Sequence, residues 1–236
     1  MLAHGLLRGV LAGYAGLAPA ALAFECNAWG KPALSSRAQD RFPVHFNLSH
    51  TRGMAVLAVC LDAEVGVDVE RVDAGIDALA LADANFSQRE RALLHACVGM
   101  RRAECFTEIW SLKEAWVKAL GRGLSVPLDG FTAQVDGRPP HIVDHASGGD
   151  VRAACACRLY ESEDGYRLAV AVPGVRGEAL SVRAWTGLPL LGFAPARAFP
   201  AWAGPGAGAA ARTGPACSSS DGSNVTHGRK IEYRSS

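Results

Sequence analysis

The sequence predicts an α+β fold, with strands and helices in separate blocks. Residues 43–70 contain three short runs of alternating or β-branched apolar residues. Residues 76–120 carry helix caps and helical apolar spacing. Residues 131–186 return to short strand-like runs separated by Gly, Pro and Asp.

In chain order, Leu6, Leu7, Val10, Leu11, Tyr14 and Leu17 recur at helical spacing, which predicts an amphipathic helix over 3–17 with Pro19 marking its exit. Ala21-Leu22-Ala23 imitates a signal-peptidase site, but no positive segment follows Met1, and His4 and Arg8 interrupt the apolar run. The same breaks argue against a membrane span. Residues 24–29 read as a strand, followed by the turn Gly30-Lys31-Pro32, which presents a cation. Residues 43–49, 54–60 and 65–70 read as a three-stranded meander joined by His50-Thr51-Arg52-Gly53 and Asp62-Ala63-Glu64.

A short helix follows over 76–85. Ser87 and Glu90 then form a capping box that opens a helix to about residue 98. A longer helix runs from about 102 to 120, carries Phe106, Ile109, Trp110, Trp116 and Val117, and is stopped by Gly121. Strands are expected at 131–135, 151–160, 166–172 and 180–186, with a polar loop over 136–150. Residues 188–236 turn rich in Ala, Gly and Pro and then Ser, Gly and Asn, and read as a disordered tail.

The 236 residues are 49% hydrophobic and 20% charged, in the globular range. A net charge of +1 gives no global case for nucleic acid or an anionic membrane, so any phosphate must be met by local lysines and arginines. Seven irregularly spaced cysteines suit the reduced thiols of a cytoplasmic protein. Cys155 and Cys157 share a strand face and read as packing rather than metal ligands.

The chemistry centres on Val65-Gly66-Val67-Asp68-Val69-Glu70. As a strand, it puts the valines on one face and Gly66, Asp68 and Glu70 on the other. Two carboxylates on one face repel unless a cation intervenes, and a hard ion such as Mg²⁺ fits them. A half-exposed strand with a polar face would look the same. On the long helix, Glu114 and Lys118 stand at i and i+4. Alone they are a surface ion pair, but the tryptophan-rich frame around them suggests a partly buried site. Asn47-Leu48-Ser49-His50-Thr51 offers hydroxyls and an imidazole for phosphate recognition or leaving-group protonation, or for turn chemistry alone. A Ser-His-Asp hydrolase is discounted, because Ser49 and His50 would point apart and no G-x-S-x-G elbow is present.

The ordered set G-K-P (30–32), F-N-L-S-H-T (46–51), G-V-D-V-E (66–70), F-S-x-x-E (86–90) and W-S-L-K-E-A-W-x-K-A-x-G-x-G-L (110–124) closely resembles the 4′-phosphopantetheinyl transferases of the larger, Sfp-like type. The resemblance spans roughly residues 3–186. It implies a pseudo-dimer of two similar α+β halves, here 1–75 and 76–187, with the active site in the cleft between them and 188–236 outside the family pattern. It implies a monomeric, cytoplasmic, Mg²⁺-dependent enzyme. Such an enzyme moves the phosphopantetheine arm of coenzyme A to a serine of an apo acyl or peptidyl carrier protein and releases 3′,5′-ADP. The family serves fatty-acid, polyketide, nonribosomal-peptide and lysine pathways.

By the same resemblance Asp68, Glu70 and Glu114 match the metal carboxylates, and Lys31, Ser49, His50, Lys113 and Lys118 match coenzyme A contacts. Lys118 would stabilise the transferred phosphate, and Glu114 or Glu90 would serve as the base. Set against the family, the chain begins at the Ala3-His4 helix, and Gly5 stands where an arginine is common. The N-terminal half is therefore expected to be incomplete, with an open strand edge and a weaker hold on coenzyme A. The alternative is a degenerate homologue that binds coenzyme A or a carrier without efficient transfer. A plain Mg²⁺-dependent phosphohydrolase is a third reading.

Overall fold

The computed structural model describes residues 2–35, 43–136, 139–145, 149–150, 155–162, 164–177, 180–188, 192–195 and 227–233. Four layers build the molecule: helix, sheet, sheet, helix. The first layer is α1 (Leu2–Ala15), which ends one residue before Gly16, where φ is +62°. Leu6, Leu7, Val10 and Leu11 face inward, as their spacing predicts, whereas Leu17 lies past the helix end and is exposed. They pack on Phe46, Ala55, Leu57 and Val59 of the second layer, made by β3 (His45–Thr51) and β4 (Met54–Cys60). A hairpin of β1 (Phe24–Cys26) and β2 (Pro32–Leu34) precedes them.

The third layer is β5 (Gly66–Arg71), β10 (Tyr166–Pro173) and β9 (Cys155–Glu161), all antiparallel, in the order β5-β10-β9. Val65, Val67 and Val69 meet Met54, Val56 and Ala58 between the two sheets. Burying one such side chain contributes about 1.5–3 kcal/mol. The opposite face of this sheet receives the fourth layer, the long helix α4 (Met100–Leu120), preceded by α2 (Ala78–Asn85) and α3 (Gln88–Ala96). Cys155 and Cys157 pack in that α4 interface. The capping box of Ser87 and Glu90 is present, and Gly121 closes α4 with φ +64°.

Three expectations change. The meander over 43–70 is not one sheet, because β5 leaves β4 and pairs with β10. β3 still caps the free edge of β5, but with side chains: Val67 N donates to Asn47 Oδ1 at 2.8 Å and Val69 N to Ser49 Oγ at 3.3 Å. Segments 1–75 and 76–187 therefore share a sheet.

The expected loop over 136–150 contains β7 (His141–Asp144) and β8 (Gly149–Asp150), with β7 pairing to β6 (Phe131–Gln134). Ile142 is fully buried, which anchors β7.

The expected structureless tail yields two strands among its described residues. β12 (Gly192–Pro195) pairs with β11 (Arg183–Leu188), and β13 (His227–Tyr233) lies between β11 and β4, parallel to β4. β4 is thus paired on both edges, by β3 and by β13. Among the described residues no helix is long and apolar enough to cross a membrane.

Candidate active site

Gly66 makes the site possible. A Cβ built on it would collide with the Ala115 carbonyl and the Ala119 amide of α4. Only a residue without a side chain lets the helix rest directly on β5. That contact brings Glu114 and Lys118, one turn apart on α4, over the face that carries Asp68 and Glu70.

Lys118 Nζ lies 2.5 Å from Asp68 Oδ1 and donates to Ser49 Oγ at 3.2 Å. Ser49 Oγ in turn donates to Asp68 Oδ1 at 2.9 Å. Asp68 is 2% exposed, and its second oxygen, Oδ2, is buried without a hydrogen-bond partner. An orphaned carboxylate oxygen is costly in the interior and marks a place for a cation or an ordered donor. Burial, then the charge of Asp68, pushes the Glu70 carboxyl above its ordinary range, against a hydrogen bond from Thr51 and the charge of Lys118. Burial also raises Glu114, opposed by Lys118 and reinforced by Asp68. Three carboxylates face one ammonium, and the surplus negative charge suits a divalent cation.

Among the described residues no three acidic, imidazole or thiol side chains are arranged so that all could hold one metal ion as they stand. An ion that keeps several waters and takes few carboxylates, as Mg²⁺ does, fits this open arrangement and the free Asp68 Oδ2.

Lys31 sits at the C-terminal end of α4. Its Nζ lies 2.6 Å from Glu64 Oε2 and donates to Ala119 O at 3.1 Å and Val65 O at 3.3 Å. Asn27 Nδ2 reaches Gly121 O at 2.8 Å, so the β1–β2 turn caps the helix. Glu64 is held down at about 2, chiefly by the hydrogen bond from His45 and, against burial, by Lys31. His50 is exposed while Ser49 beside it is buried, so the two point apart and form no Ser-His-Asp triad.

Lys113 and Glu90, expected on coenzyme A and as the base, pair with each other rather than with Asp68 and Lys118. Lys113 Nζ is 2.7 Å from Glu90 Oε1, donates to Leu128 O at 2.8 Å and Phe131 O at 2.7 Å, and lies 4.2 Å from the Phe131 ring centroid. Its side chain has no exposure, and Glu90, at 1%, is spent on the Ser87 and Ala133 amides as well. Burial lowers Lys113, with Glu90 opposing. The pair fastens α4 to α3 and β6. Asn47, which holds β5 in place, was not singled out as a site residue. Its spacing of two from Ser49 was the available signal.

Residues 64–171 match the family described as the 4′-phosphopantetheinyl transferase superfamily. The matched stretch includes Asp68, Glu70, Glu114 and Lys118, while Lys31, Ser49 and His50 precede it. The chain is 31% identical over 166 residues to a 4′-phosphopantetheinyl transferase of Bacillus subtilis, covering 70% of this chain and 69% of that one. It is 35% identical over 173 residues to a 4′-phosphopantetheinyl transferase of Bacillus pumilus, with 72% and 69% covered. The similarity to the 4′-phosphopantetheinyl transferase HetI of a Nostoc species is 35% over 122 residues, about half of each chain (52% and 51%).

Proposed function

Because the chain belongs to the 4′-phosphopantetheinyl transferase superfamily, we propose that it transfers the 4′-phosphopantetheine arm of coenzyme A to a serine of an apo acyl or peptidyl carrier protein. The serine oxygen attacks the phosphorus that carries pantetheine, the bond to the second phosphate breaks, and 3′,5′-ADP leaves. Asp68, Glu70 and Glu114 would hold Mg²⁺. When bound, it would neutralise the diphosphate and polarise the attacked phosphorus.

Lys118 is already aimed into the site from α4 and would shift from Asp68 toward the phosphate as negative charge moves to the leaving group. Glu114, whose carboxyl is raised by burial, would take the serine proton, directly or through a water. Glu90 is buried against Lys113 and is not proposed for that step. Ser49 fixes Asp68 and caps the edge of β5. Lys31 and His50 are proposed to meet the nucleotide end of coenzyme A.

The layering of α1, two sheets and α4 supports a pseudo-dimer in which each half contributes one helix and one sheet, with β5 crossing to the other half's sheet. We place the enzyme as a monomer in the cytoplasm, where coenzyme A is available. The observation that carries the reading is the buried, unpartnered Asp68 Oδ2 beside Lys118, Glu70 and Glu114. Incubation with coenzyme A, Mg²⁺ and an apo carrier domain should add the phosphopantetheine mass to the carrier; no adduct contradicts the proposal.

A further inference from the structure

Arg167 stands directly across β5 and β10 from Glu70 and across β9 and β10 from Glu161. Opposed residues of antiparallel strands share a face with Cβ atoms about 4.5–5.5 Å apart. The guanidinium of Arg167 therefore has the reach to pair with Glu70. Among the described residues its ion pairs run elsewhere. Nε lies 3.3 Å from Glu108 Oε1, and Nη2 lies 3.5 Å from Glu104 Oε1 and 3.6 Å from Glu161 Oε2. Glu108 has no side-chain exposure and is also gripped by both Arg101 Nη atoms, at 2.8 and 2.9 Å. Arg101 reaches Glu104 too, at 3.2 Å. Three carboxylates thus surround two guanidiniums, a bracket with one surplus negative charge that keeps Arg167 engaged with α4.

We propose that Glu108, with Glu104 and Glu161, holds Arg167 away from Glu70 and so keeps Glu70 available to the divalent cation. Glu108 is a positioning residue of the metal site and acts by restraining Arg167. This rests on the metal-dependent reading of Asp68, Glu70 and Glu114. A buried guanidinium stripped of its strongest partner is costly and turns to the next carboxylate within reach. Here that carboxylate is Glu70, and a Glu70 paired to arginine no longer offers its charge to Mg²⁺.

The test is calorimetric titration of the full chain with Mg²⁺ in the presence of coenzyme A, with no carrier protein. Glu108→Gln should weaken Mg²⁺ binding about tenfold, Arg167→Met should not weaken it, and the double variant should return to within about threefold of wild type. Wild-type affinity in Glu108→Gln overturns the proposal. So does a double variant that binds as weakly as Glu108→Gln, because the loss is then packing damage. If Glu108→Gln does not fold, Glu104→Gln with Glu161→Gln opens the bracket from its partly exposed side and should weaken Mg²⁺ in the same direction; unchanged affinity overturns the proposal. A folded wild-type chain that binds no Mg²⁺ fails the metal-dependent reading itself, a result separate from either of these.

Discussion

Gly66 of β5 lies directly beneath the Ala115 carbonyl of α4, with no room for a Cβ between them. This contact sets the distance between the carboxylates on the strand and the charges on the helix. Gly66→Ala should push α4 off β5, cost about 1–3 kcal/mol of stability, and remove most transfer activity. Thermal unfolding and a carrier-loading assay on the same sample check it. A fully active, equally stable Gly66→Ala would show that helix and strand are not coupled through this contact.

The raised Glu70 and Glu114 carboxyls make a pH prediction. If Mg²⁺ binds the deprotonated groups as proposed, its apparent affinity should rise with pH through their raised values and level off above them. In the absence of metal the sign for stability is the reverse. A carboxyl whose folded pKa is raised stabilises the fold at low pH and loses that contribution as pH rises above the ordinary carboxylate value. Added Mg²⁺ should offset the loss. Titrations of Mg²⁺ binding and of Tm against pH test both signs.

Lys113 and Glu90 should behave as a structural pair. Lys113→Ala leaves Glu90 buried and uncompensated, which should cost about 3–5 kcal/mol. The KM for coenzyme A should stay close to wild type at temperatures where the variant is folded. A raised KM with unchanged stability would return Lys113 to the substrate.

Deleting residues 227–236 should uncover the β4 edge that β13 occupies. Hydrogen exchange should then quicken at those amides of Met54–Cys60 that β3 does not bind, with little change in α4. Unchanged protection along β4 would mean that β13 contributes nothing to the sheet.

Much of this was legible in the sequence because it follows from local periodicity. Alternation over Val65–Glu70 gave the two faces, the Ser87–Glu90 spacing gave the capping box, and Gly121 gave the end of α4. The rest depends on partners distant in the chain. Pairing of β5 with β10 joins residues about a hundred apart, and nothing in either strand alone names the other. Lys113 and Glu114 are neighbours, but successive helical residues point about 100° apart, so one enters the core and the other the site. Motif spacing could not separate them. Alternation puts Gly66 on the face of Asp68 and Glu70, but only the helix packed on it explains why that position has no side chain.

Carrier loading by Asp68→Asn, an isosteric change that removes one charge from the proposed cation site, tests the metal-dependent transfer most directly. Wild-type protein should add phosphopantetheine to the carrier only when Mg²⁺ is present. Asp68→Asn, still folded, should lose about a hundredfold or more of the rate, in keeping with the loss of a group that supports transition-state charge. Loading at the wild-type rate by Asp68→Asn, or by wild-type protein in excess chelator, would contradict it.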